Sequence, residues 1–106
     1  MIIVSKENFK RYLRKNGYKE WSDAGNETTI SSYVYWIERV MEREHINTWS
    51  EFTDHIQGIL RKYGEYGEMR CFGKEAHSTV INALKRFMEY LLNECNYVPK
   101  VGIYYL

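Results

Sequence analysis

The sequence predicts an all-α fold, a single small bundle of about four helices followed by an extended tail. Three observations carry this expectation. Apolar residues recur at the 3.6-residue period over long stretches, most regularly in residues 77–94, "HSTVINALKRFMEYLLNE". Ser, Thr and Gly stand where those stretches begin and end, as helix caps do. At 106 residues, with 44% hydrophobic and 27% charged residues, the chain has the size and composition of one folded domain that needs no staples. The domain therefore spans 1–106, with its core in 5–95 and the tail in 96–106.

The first helix is predicted over about residues 6–16. Ser5 is its N-cap, Phe9, Tyr12 and Leu13 form its apolar side, and Gly17 offers a left-handed stop. "KEWSDAGNETT" then gathers Ser, Asp, Gly and Asn, which is loop chemistry, with Trp21 expected to fold back onto the core. In "TTISSYVYWIERVMEREH" the residues Ile30, Tyr33, Val34, Ile37, Val40 and Met41 draw one stripe of a second helix. Thr48 followed by Glu51 is a capping box that opens a third, with Phe52, Ile56, Ile59, Leu60 and Tyr63 buried and Gly58 a weak point worth about 1 kcal/mol against Ala. "YGEYGEMRCFGKE" is dense in glycine and is expected to be a loop. The last helix puts Ala76, Val80, Ala83, Leu84, Phe87, Met88, Leu91, Leu92 and Cys95 on one face, with Asn82, Lys85, Arg86, Glu89 and Asn93 on the other. "YVPKVGIYYL" holds Pro99 and Gly102 among β-branched and aromatic residues, so it is read as an extended tail able to pair with the N-terminal "MIIV".

Charge narrows the function classes. The formal net charge is only +1, but it is unevenly spread. Residues 1–20 carry Lys6, Lys10, Arg11, Arg14, Lys15 and Lys19 against Glu7 and Glu20, while residues 27–51 carry Glu27, Glu38, Glu42, Glu44 and Glu51 against Arg39 and Arg43. On the first helix Lys10, Arg11, Arg14 and Lys15 flank or oppose the apolar side, a placement that suits nucleic-acid phosphates. The same placement also keeps a helix soluble and complements the dipole at its C-terminus. The aromatic fraction of 16% exceeds what a core of this size must bury, and spare Tyr and Trp suit interaction surfaces as well as core edges.

Catalytic and cofactor chemistry finds no motif. The sequence has no HExxH, GxSxG, phosphate-binding glycine loop or Cys–His pair of catalytic spacing, so the reading is non-enzymatic and without a cofactor. His45, His55, Cys71, His77 and Cys95 are the residues a metal would use, with Cys71 and His77 the nearest to half a zinc site, but their spacing matches no ligand pair. Two cysteines without CxxC spacing imply a reducing, cytoplasmic setting. "MIIV" is too short for a signal peptide, and no segment has the ~20 apolar residues of a membrane span.

The order of parts resembles the SAM-like core-binding domain that precedes the catalytic domain of phage-type tyrosine recombinases and integrases. Thr29, Tyr33 and Ile37, then Phe52 and Ile56, then Ser78, Thr79, Ile81, Ala83, Leu84, Phe87, Tyr90 and Leu91 carry the resemblance, which covers about residues 9–94. It implies an orthogonal SAM-like bundle with no catalytic role that clamps duplex DNA, and it sets Ser78, Thr79, Asn82, Lys85 and Arg86 on or near a phosphate backbone. The Arg, His and Tyr of the recombinase catalytic domain have no counterpart here, and the acidic second helix is expected to repel DNA on one side.

Two expectations follow. One is a nucleic-acid-binding module of a phage or mobile element, contacting duplex DNA through Lys10, Arg11, Arg14, Lys15, Ser78, Thr79, Asn82, Lys85 and Arg86, with little base readout. The other is a small inhibitor that binds a host protein or nucleoprotein, such as a CRISPR effector, through Tyr35, Trp36, Glu38, Glu42 and Tyr66, because Tyr35 and Trp36 fall off the apolar stripe of the second helix. Both are compatible with a monomer or a homodimer, and neither calls for a membrane or a small-molecule substrate.

Overall fold

A computed structural model describes residues 3–18 and 29–98. The expected return of Trp21 to the core lies outside these residues. So do most of the tail and the first two residues of "MIIV", and no strand occurs among the described residues. The helices run in the order α1 (Lys6–Lys15), α2 (Thr29–Arg43), α3 (Trp49–Tyr63), α4 (Arg70–Gly73) and α5 (Glu75–Glu94). The all-α expectation therefore holds, with one more helix than the sequence suggested.

Local chemistry sets the ends. Ser5 accepts a hydrogen bond from the Asn8 N–H at 3.1 Å and starts α1. Gly17 stops it at φ +94°, where the Tyr18 N–H reaches the Leu13 carbonyl and the Gly17 N–H the Arg14 carbonyl, a Schellman closure. α2 closes in the same way on His45, a non-glycine residue held at φ +59°. At α3 Thr48 accepts from the Glu51 N–H, and the Glu51 carboxylate accepts from the Asn47 N–H, each at 3.0 Å, so the box reaches one residue further out than the usual pattern.

The glycine-dense segment is not a plain loop. Beyond Gly64 the chain folds back so that the Met69 N–H donates to the Lys62 carbonyl, and residues 70–73 then make the single turn α4 before Lys74 leads into α5. Gly73 is what lets α4 lie on the end of α3: a Cβ there would stand 2.1 Å from the Tyr63 carbonyl oxygen.

α5 is the hub and touches every other helix. Its Phe87 is fully buried among Phe9, Trp49, Phe52 and Tyr90, with ring centroids 5.3 to 5.7 Å away. The predicted stripe of α5 is buried from Val80 to Leu91, but Ala76 is exposed and Leu92 and Cys95 are half-buried. Tyr90, outside that stripe, is buried because α1 covers its side through Phe9 and Tyr12.

Candidate nucleic-acid interface

With Phe9, Tyr12 and Leu13 turned into the core, α1 exposes Arg11, Arg14 and Lys15, while Lys10 is half-buried. Arg11 Nη1 donates to Asn8 Oδ1 at 2.7 Å, and Lys15 Nζ lies 3.3 Å from Glu94 Oε1 at the end of α5. Arg11, Lys15, Asn8, Tyr12, Tyr90 and Glu94 border an open cleft of about 420 Å³. The buried Tyr90 hydroxyl makes no hydrogen bond of good geometry; burial first, then the neighbouring Cys95 thiol, hold its pKa far above the ordinary 10.0.

On α5, Asn82 is exposed, and Ser78, Thr79, Lys85 and Arg86 are half-buried. Arg86 Nη1 pairs with Glu89 Oε1 at 2.8 Å, and the Thr79 hydroxyl donates to the Ala76 carbonyl one turn back. Ala76 and Ser78 both have positive φ, +53° and +69°, so the first turn of α5 is irregular. Ser78 and Lys85 border a depression of about 140 Å³ that they share with Arg70, Lys74, Glu65 and the end of α3. Sequence reasoning passed over Arg70 and Lys74 because they lay in the expected loop. The spacing of Lys74, Ser78, Ile81 and Lys85 at i, i+4, i+7 and i+11 is a signal that could have drawn in Lys74, and Arg70 has none.

The residues expected to touch DNA thus fall into two regions. Lys85 and Glu94 are nine positions apart, which on an α-helix turns them to opposite sides. Lys15, paired with Glu94, accordingly faces away from the Lys85 depression.

The acidic residues near α2 are engaged within the fold. Glu38 pairs with Lys6 at 3.3 Å and Glu42 with Arg39 at 3.2 Å; Glu44 pairs with Lys62 at 3.0 Å and accepts the Tyr63 hydroxyl at 2.8 Å. Burial, and then this bond to Glu44, push the Tyr63 hydroxyl far above its ordinary pKa.

Tyr35 stands 51% exposed with the Arg39 guanidinium 4.9 Å above its ring, and Tyr66, in the turn after α3, is 93% exposed. Trp36 is half-buried, edge-on to Tyr35 on one side and to Phe72 of α4 on the other, and Arg43 lies 4.3 Å over Phe72. The rings and guanidinium groups form one mixed surface across α2 and α4, with Glu38 and Glu42 at its border. Cys71 and Cys95 are free thiols. Among the described residues no three His, Cys, Asp or Glu side chains converge as a metal requires, and no helix is long and apolar enough to cross a membrane. No protein-family model, curated protein or solved structure matches the chain significantly.

Proposed function

We propose that this chain is a non-enzymatic nucleic-acid-binding module that holds the phosphate backbone of duplex DNA on basic helix surfaces, as its resemblance to recombinase core-binding domains implies. The observation that carries the reading is how charge is partitioned. Glu38, Glu42, Glu44, Glu68, Glu89 and Glu94 are each paired with one of the protein's own cations. Arg11, Arg70, Lys74 and Lys85 have no carboxylate within ion-pair distance among the described residues. Arg70, Lys74 and Lys85 border one depression whose single carboxylate is Glu65, so a near-neutral chain offers an excess of positive charge there, while Glu38, Glu42 and Glu44 are engaged inside the fold. The test is fluorescence anisotropy of a labelled duplex at stepped salt. Engagement of three or four phosphates gives a slope of log K against log salt of about −2.7 to −3.6. Absence of binding at low salt removes the reading.

A second reading, an inhibitor that binds a host protein or nucleoprotein, is favoured by the Tyr35, Trp36 and Phe72 surface with Arg39 and Arg43. It requires that Tyr35→Ala abolish capture of a defined protein partner and leave DNA affinity unchanged.

A further inference from the structure

The geometry points to a phosphate-binding site in the depression between the end of α3, α4 and the first half of α5, formed by Arg70, Lys74 and Lys85 with the Ser78 hydroxyl. As the backbone contact of a bound duplex it rests on the nucleic-acid reading above; as a phosphate site it stands alone.

The site is built from the sequence upward. Ser78, Ile81 and Lys85 of α5, with Lys74 at its N-cap, border one depression beside the core stripe of Val80, Ala83, Leu84 and Phe87. Arg70, four residues before Lys74, opens α4 and borders the same depression, and its Nη1 donates to the Gly67 carbonyl at 3.3 Å. Gly73 permits the close seat of α4 on α3 that closes the third side. Half-buried Ile81 supplies an apolar wall.

Charge and size define the ligand. Three cations share the depression, none of them has an ion-pair partner among the described residues, and Glu65 is the one carboxylate on its border. Like charges brought together repel, and the carbonyl end of α3 offsets only part of that cost. A dianion offsets the rest, and Arg presents a planar fork of donors suited to phosphate oxygens while Lys supplies point charge. The depression, of about 140 Å³, has room for one tetrahedral anion. Pockets that enclose nucleosides and other drug-sized ligands run to about 300 Å³ and more, so the depression does not enclose a base. The site therefore holds phosphate, whether carried on a nucleic-acid strand or free in solution, and reads no sequence.

The test uses the full chain, a 20-base-pair duplex and inorganic phosphate. Lys74→Gln/Lys85→Gln is compared with Arg61→Gln, an exposed cation of α3 outside the depression, after circular dichroism shows both variants folded. In the duplex arm the double variant loses about 1.8 units of salt slope and at least tenfold in affinity, whereas Arg61→Gln keeps the wild-type slope within about half a unit. In the second arm millimolar inorganic phosphate shifts the amide resonances of Lys74, Ser78 and Lys85 in the wild type and leaves that of Ser78 unmoved in the double variant. If the wild type binds no duplex but phosphate still shifts these resonances, the site stands and the nucleic-acid reading falls. If the wild type binds duplex while the double variant keeps its slope and phosphate shifts nothing, the site is overturned and the nucleic-acid reading remains. Silence in both arms overturns both.

Discussion

Replacing Gly73 by Ala separates two consequences of adding the same methyl group. The new Cβ would lie 2.1 Å from the Tyr63 carbonyl oxygen and 3.6 Å from the Tyr63 Cβ, and ordinary contact begins near 3.4 Å. The obstacle is backbone at the end of α3, so α4 must withdraw by about 1.3 Å. Phe72 moves with it and loosens its edge contacts to Trp36 and Tyr63, both at 5.9 Å between centroids. Overpacking of this kind costs about 1–3 kcal/mol, and the helix preference of Ala over Gly returns at most about 1. The expected net loss is about 1–2 kcal/mol, which for a domain of this size lowers Tm by about 5–15 °C. Gly58→Ala is the matched control. Gly58 lies exposed in α3, its Cβ would meet nothing within 4 Å, and the substitution should add about 0.5–1 kcal/mol. Both are measured by urea unfolding followed by far-UV circular dichroism, at unchanged m-value. Opposite signs are expected. A Gly73→Ala protein as stable as the wild type refutes the argument from close approach.

Phe87→Ala empties the centre of the aromatic cluster and should cost about 3–5 kcal/mol, with Phe87→Leu losing much less; a loss under about 1.5 kcal/mol for the Ala variant in urea would mean that Phe87 is not the hub. Thr48→Ala removes the acceptor of the Glu51 N–H and should cost about 1 kcal/mol, recovered by Thr48→Ser, which denaturant midpoints check directly. Tyr33, Tyr63 and Tyr90 have pKa values raised by burial, so in the native state each keeps a proton that the unfolded chain releases near pH 10. Their contribution to stability is complete below that pH and is lost as pH rises through the native values. Cys95, raised from 9.0 chiefly by burial, acts in the same direction. The urea midpoint should accordingly decline above about pH 10, less steeply in Tyr63→Phe, and a flat alkaline profile contradicts this account.

Capped and periodic elements were legible in the sequence. Ser5, Gly17 and the Thr48–Glu51 box mark their helix ends to within a residue, because these signals are local and the structure uses them as written. α4 was not legible: four residues show no period, and this turn owes its helix to Gly73 fitting against α3 and to Phe72 lying between Trp36 and Tyr63. The burial of Tyr90 likewise comes from a partner seventy-eight to eighty-one positions away, since Phe9 and Tyr12 cover it. In the candidate site, counting charges along the chain identified basic α1 and the acidic stretch around α2. It could not reveal that Lys6 neutralises Glu38 or that Lys15 meets Glu94 across 79 positions. Ser78 and Lys85 entered through the resemblance alone, and Arg70 and Lys74 joined them only once the glycine-dense segment was seen to fold back.

The seating of Trp36 on Phe72 has a spectroscopic consequence. Trp49 lies 5.9 Å from Phe9 and 5.6 Å from Phe87, so its fluorescence follows the union of α1, α3 and α5. Trp36 meets Phe72 alone among the rings of α3, α4 and α5, and its emission follows the docking of α4 on α2. With Trp21 replaced by Phe, two single-tryptophan variants, each keeping one of these indoles, report on opposite ends of α3. A Trp36 signal that changes at lower denaturant than the Trp49 signal marks α4 lifting away while the core stays closed, a partial opening that circular dichroism over so short a helix would scarcely register.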